Sequence, residues 1–253
     1  MIAGDRPPAR AALWAITDSL RRADNDFGLI DPTASYTYTA TETNPTDDPL
    51  GNPGGPPRQL LPAGGAGHQT VAVLTGAAAV TASSSGSWLA ETPQIDPVNA
   101  FDGNPNTFWA EANPTTAVGQ WVQIAFDHRI AMPRSISIRL LDDFAARPVP
   151  RRLTVSTDAG TVTSSLRRTG AAQPLKVPPG LTRTLRITIA AVRGGVPGGA
   201  GAGLADVTIP GVMVTRYLKP SQARAGEMAA TAFSFEQQVP SPASASLRRR
   251  RLP

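Results

Sequence analysis

The chain has 253 residues, a net charge of +5 and no cysteine, and its 23 glycines and 25 prolines make up nearly a fifth of it. This length can bury a real core as one large domain or two small ones; the missing cysteines exclude a disulfide framework and thiolate metal sites, and the Gly and Pro content argues for many turns and against a helical bundle. The charge does not point to nucleic acid: four positives are the terminal run Arg248 to Arg251, and with those four removed the rest carries only +1, without the basic face such a partner needs.

In chain order, Met1-Ile-Ala-Gly-Asp-Arg-Pro-Pro8 lacks the apolar stretch of a signal peptide. No apolar run approaches the ~20 residues of a membrane helix. An export signal, if the protein works outside the cytoplasm, is expected on a part of the polypeptide beyond this sequence. Residues 9–22 predict a short helix, with Leu13, Ile16 and Leu20 at helical spacing and Arg21 and Arg22 in the last turn. Alternating Tyr and Thr over residues 36–41 predict a strand. Residues 44–67, thick with Pro and Gly, read as a long loop or linker.

From Thr70 the texture changes to short, β-branched runs separated by turn residues. Strands are predicted at 70–74, 87–89, 121–126, 135–140, 152–156, 161–163, 184–189 and 205–209. Ile136, Ile138 and Leu140, like Leu185, Ile187 and Ile189, put apolar side chains on one face of a strand and Ser, Thr or Arg on the other. About eight such strands without an intervening helix predict an all-β sandwich or jelly roll. Past Pro220 the alternation fades, residues 223–236 read as a further strand or helix, and the last dozen residues read as disordered. The expected division is 1–69 as a helix, strand and linker packing on the sandwich, 70–218 as the jelly roll, and 219–253 as a C-terminal extension.

The most informative stretch is Asp102-Gly-Asn-Pro-Asn-Thr107. It packs oxygen donors and turn formers into six residues, and Ca²⁺ takes six to eight oxygens from tightly folded loops. Asp102 offers a carboxylate, Gly103 the bend, and Asn104 and Thr107 carbonyl or hydroxyl oxygens. The same residues also suit a metal-free turn closed by the Asp102 side chain.

Ala100-Phe-Asp-Gly-Asn-Pro-Asn-Thr-Phe-Trp109, followed by Gly119-Gln-Trp-Val-Gln-Ile-Ala-Phe126, resembles the discoidin or factor V/VIII-type C domain and related galactose-binding-like carbohydrate-binding modules. The closing strand of that family resembles Gly203-Leu-Ala-Asp-Val-Thr-Ile-Pro210, with Asp206 where the family usually carries Glu. The resemblance implies a galactose-binding-like jelly-roll β-sandwich with a structural Ca²⁺ held by Asp102, Asn104, Thr107 and Asp206.

A second resemblance spans roughly residues 10–235. Trp14-Ala-Ile-Thr-Asp-Ser-Leu-Arg-Arg22, Asp26-Phe-Gly28, Pro57-Arg-Gln-Leu-Leu-Pro62, His68-Gln-Thr-Val71 and Val80-Thr-Ala-Ser-Ser-Ser-Gly-Ser-Trp88 run in this order before the jelly-roll loop. The order is similar to the extracytoplasmic region of the mycobacterial-type α-(1→3)-arabinofuranosyltransferase family. It implies a non-catalytic module on the outer side of the plasma membrane. Its partners would be cell-wall arabinan or a related glycan and the membrane catalytic domain of the same polypeptide.

Other chemistries find little support. Asp142 and Asp143 are adjacent, and neighbours on a strand point to opposite faces, so they do not make a glycosidase pair. His68 opens a strand, His128 reads as part of a turn between strands, and no Gly-x-Ser-x-Gly elbow exists. The Gly-rich run 194–203 lacks a Lys-Ser/Thr pair and leads into a strand, so it reads as a surface loop. For sugar contact, Trp109 and Trp121 are expected in the core. Trp88 is the candidate loop platform, with Asn113, Arg139 and Asp142 as polar partners. The alternative is a scaffold of the same fold that binds no glycan.

Overall fold

The computed structural model describes residues 71–85, 95–104, 106–113, 115–142, 147–196 and 200–219, together with segments 13–16, 22–24, 35–37, 39 and 231–234. Strand β1 (Leu13–Ile16) falls within the expected helix and is a correction to it. Short apolar runs do not distinguish helix from strand by periodicity, and here the run pairs in parallel with a distant one, Thr231–Ser234. Strand β2 (Arg22–Asp24) pairs antiparallel with β3 (Ser35–Thr37), which overlaps the start of the expected Tyr/Thr strand, and Thr39 bridges to Ala72. The linker at 44–67 and the strand at 87–89 lie outside the described residues.

The body begins with β4 (Val71–Thr75) and β5 (Ala79–Ala82), then a 3₁₀ turn (Pro97–Phe101) and the two-residue β6 (Trp109–Ala110). Next come β7 (Trp121–Met132), β8 (Ser135–Leu140), β9 (Val149–Thr157), β10 (Gly160–Ser165) and β11 (Gln173–Lys176). Strands β12 (Gly180–Arg193), β13 (Gly203–Thr208), β14 (Thr215–Lys219) and β15 (Thr231–Ser234) complete the order. One sheet runs β10-β9-β12-β7-β5 and a second runs β11-β8-β13-β6, while β4 pairs with β14. His128 is therefore an exposed position within the long β7 rather than part of a turn between strands, because pairing with β12 carries that strand on to Met132.

Period-two alternation builds the core. Val122, Ile124 and Phe126 of β7, Leu185, Ile187 and Ile189 of β12, and Leu153 and Val155 of β9 point inward from the first sheet. Ile136, Ile138 and Leu140 of β8, with Leu204 and Val207 of β13, join them from the second in one buried cluster. Each large aliphatic side chain so buried contributes roughly 1.5–3 kcal/mol. Trp109 is fully buried, and its indole N–H donates to the Ser84 carbonyl at 3.0 Å.

Strands β5 and β11 escaped the sequence reading for physical reasons. Ala79–Ala82 is half alanine, a poor strand former. Gln173–Lys176 carries Pro174, which cannot donate to a ladder and is tolerated because β11 is an edge strand.

Candidate functional site

The Asp102 loop follows the 3₁₀ turn and closes on itself. Asp102 Oδ1 accepts the Asn104 backbone N–H at 2.9 Å and Oδ2 accepts the Thr107 hydroxyl at 2.7 Å. The Asn104 side-chain oxygen accepts the Asn106 N–H at 3.1 Å. Gly103, at φ 68, supplies the left-handed bend expected of it. Asp206 lies on β13, two residues past Leu204, which pairs with Trp109. Asp206 Oδ2 accepts the Thr208 hydroxyl at 2.7 Å. Among the described residues no group of three His, Cys, Asp or Glu side chains gathers as a metal cluster.

At the Ala110 end of the same sheet, loops from four connections meet. Buried Glu111 accepts the Ala202 N–H at 3.0 Å and the Asn113 N–H at 2.7 Å on its two carboxylate oxygens. Arg147 donates to the Gly201 carbonyl and lies over the Phe108 ring, 5.7 Å from its centroid. The Asn113 side-chain oxygen accepts from Thr115 N–H, Thr115 hydroxyl and Thr116 N–H, holding its own turn. Asp142 is bound bidentately by Arg168, at 3.0 Å from Nη2 and 3.2 Å from Nε. That carboxylate, first through its hydrogen bond and then its charge, raises the Arg168 pKa above its usual value.

Asn113 and Asp142 thus sit at one end of the sandwich with their acceptors already engaged. Arg139 is apart from them, exposed on β8 and opposite Asp206 in register. Trp88 lies outside the described residues. The Gly-rich run is only partly a surface loop: Ala202 is fully buried and Gly203 begins β13. A Cβ at Gly203 would stand 2.2 Å from the Trp109 carbonyl oxygen, a close approach that only glycine permits.

Trp121 is a further correction. Val122 and Ile124 take the inward positions of β7, so Trp121 and Gln123 face outward. The Arg186 guanidinium lies over the indole, 3.9 Å from its centroid, and its Nε donates to Gln123 Oε1 at 2.8 Å. One row of side chains crosses the whole sheet in register: Thr81, Gln123, Arg186, Ser156, Thr161. The adjacent row is Trp121, Thr188, Thr154, Thr163. Hydroxyl pairs Ser156–Thr161 at 3.1 Å and Thr154–Thr163 at 2.9 Å tie the last two strands. The alternation of residues 121–126 held the signal for this outward Trp.

Two antiparallel sheets packed around one core define an all-β sandwich. No family model matches the chain. It is homologous to a segment of the mycobacterial α-(1→3)-arabinofuranosyltransferases. The enzyme of Mycolicibacterium smegmatis is 29% identical over 189 residues, which is 72% of this chain and 12% of that protein. The enzyme of Mycobacterium tuberculosis is 25% identical over 214 residues, 83% of this chain and 14% of that protein. The cryo-EM structure of the arabinofuranosyltransferase AftD from mycobacteria shares the fold, with a TM-score of 0.60 and 23% identity over 81% of this chain and 16% of that one. The chain therefore spans about an eighth of the relatives it matches. Among the described residues no helix is long and apolar enough to cross a membrane.

Proposed function

We propose that this chain is a carbohydrate-binding-type module of a larger arabinofuranosyltransferase polypeptide. In this reading it stands on the extracytoplasmic side and holds cell-wall arabinan, or a related glycan, beside the membrane catalytic domain. The observation that carries it is the similarity to the two arabinofuranosyltransferases over 72% and 83% of the chain. A module of this kind needs no chemistry of its own. Tethering the acceptor raises its concentration at the active site, into the millimolar range for short flexible connections.

To this we add a Ca²⁺ ion at the Asp102 loop, proposed on the chemistry of its donors. An ionised carboxylate offers about four lone-pair sites. Asp102 and Asp206 spend two and one of theirs on the hydrogen bonds described. Asn104 and Thr107 would complete the oxygen set. The loop's own hydrogen bonds mean that the ion would tighten a shape already formed.

A scaffold without glycan affinity is the second reading, and the engaged acceptors of Asn113 and Asp142 favour it at the loop end. Titration of arabinan oligosaccharides into the chain by calorimetry tests the first reading, with saturable binding at millimolar ligand or below expected. A flat titration leaves the scaffold. Thermal melts with Ca²⁺ and with chelator test the ion: a ligand selective for the native state raises Tm, and identical melts remove it.

A further inference from the structure

The outer face of the five-stranded sheet combines features that the loop end lacks. Arg186 is held from two sides, by its stack on Trp121 and by the hydrogen bond from Nε to Gln123. Its two terminal amino groups have no acceptor among the described residues. A guanidinium fixed in this way has already lost the freedom that ligand binding would otherwise remove, so its outward N–H donors are pre-organised.

Around it one row supplies a hydroxyl, amide or guanidinium on each of the five strands, and the adjacent row adds the hydroxyls of Thr188, Thr154 and Thr163. At roughly 4.8 Å per strand spacing the row is about 19 Å long, which suits several sugars of a chain rather than one. None of the large exposed apolar side chains, Val118, Leu181, Val196, Met213, Tyr217 and Leu218, stands on either row. The aromatic ring on these rows, Trp121, is half-buried and covered by the Arg186 guanidinium. The face therefore presents planar donors and hydroxyls, which match a polyol, rather than the bare apolar or aromatic centre a protein partner calls for.

We propose that this face, centred on Arg186 between Trp121 and Gln123, is where the chain holds a glycan, in place of the loop end. The assignment rests on the carbohydrate-binding reading above. The guanidinium N–H groups would donate to ring and hydroxyl oxygens, with Gln123, Thr81 and Ser156 as neighbouring partners along the row.

The test is an NMR titration of the whole ¹⁵N-labelled chain with arabinan oligosaccharides, repeated for Arg186→Met and Asp142→Ala. Hydrogen bonds to a charged group contribute about 1.5–3 kcal/mol, so Arg186→Met should weaken binding roughly 10- to 100-fold. Shifts should centre on the amides of Gln123 and Arg186, with Asp142→Ala binding like the wild type. Should Arg186→Met lose the folded spectrum, Gln123→Leu removes the neighbouring amide and leaves the Trp121 stack. Its prediction is a several-fold loss. Wild-type binding with shifts gathered at residues 111–113, 142 and 168, unchanged by Arg186→Met and Gln123→Leu, would overturn this assignment and leave the module reading standing. No wild-type binding at millimolar oligosaccharide would overturn both.

Discussion

Replacing Gly201 by alanine tests how the closing strand is held. A Cβ there would lie 1.7 Å from the carbonyl oxygen of Glu111, 2.7 Å from its carbonyl carbon and 3.0 Å from Oε1. Carbon–oxygen contacts below 3.0 Å essentially do not occur, so the two backbones must separate by more than an ångström. The Glu111 N–H to Ala202 carbonyl bond at 2.9 Å and the Ala202 N–H to Glu111 carboxylate bond at 3.0 Å cannot both survive that move. The first is worth about 1 kcal/mol and the second about 1.5–3 kcal/mol, with the Asn113 N–H still held by the other carboxylate oxygen. The expected loss is roughly 3–4 kcal/mol, a large share of a typical 5–15 kcal/mol stability.

Urea unfolding followed by tryptophan fluorescence measures it, with Gly170→Ala as the control. Gly170 has open space around its would-be Cβ and no positive φ, so its change should stay within about 0.5 kcal/mol. A Gly201→Ala loss below about 1 kcal/mol, at an unchanged slope against urea, would refute the steric argument.

Two further substitutions probe other joints. Asp158, in the β9–β10 turn, accepts the Arg183 N–H at 2.8 Å and the Thr184 hydroxyl at 3.0 Å, and the first of these does most to hold its carboxyl below the usual value. A depressed carboxyl pKa stabilises fully above the unfolded value of about 3.9 and is lost as pH falls through the lower folded one. Asp158→Asn should therefore lower Tm at neutral pH, and the gap to wild type should close as pH falls below the unfolded carboxyl value and through the lower folded one; a gap independent of pH in thermal melts speaks against the linkage. Trp109→Phe removes core volume and the donor to the Ser84 carbonyl, and chemical unfolding should show a loss of about 2–4 kcal/mol.

Much of the β-sandwich was legible from alternation, because a strand buried on one face must repeat every two residues. That rule located residues 121–126, 152–156 and 184–189 within strands that the structure extends, matched β8 at 135–140, and overlapped β13 at 205–208. It says nothing about short runs whose partner is far away. Leu13–Ile16 becomes a strand only through pairing with Thr231–Ser234, a contact no local pattern contains. The Asp102 turn was readable because its hydrogen bonds span only a few residues; which oxygens remain for an ion was not.

By itself, the sequence determined the all-β class, the two-sided strands of the core and the Asp102 loop, all consequences of local spacing and side-chain type. Only tertiary structure decided the surfaces. It set Trp121 outward, placed Arg186 over it from a strand some sixty residues away and closed Asp142 on Arg168. It also packed Gly201 and Gly203 against the backbones of Glu111 and Trp109. The physical reason is that each of these depends on which strands become neighbours and in what register, and register is settled by the burial of the whole sheet at once.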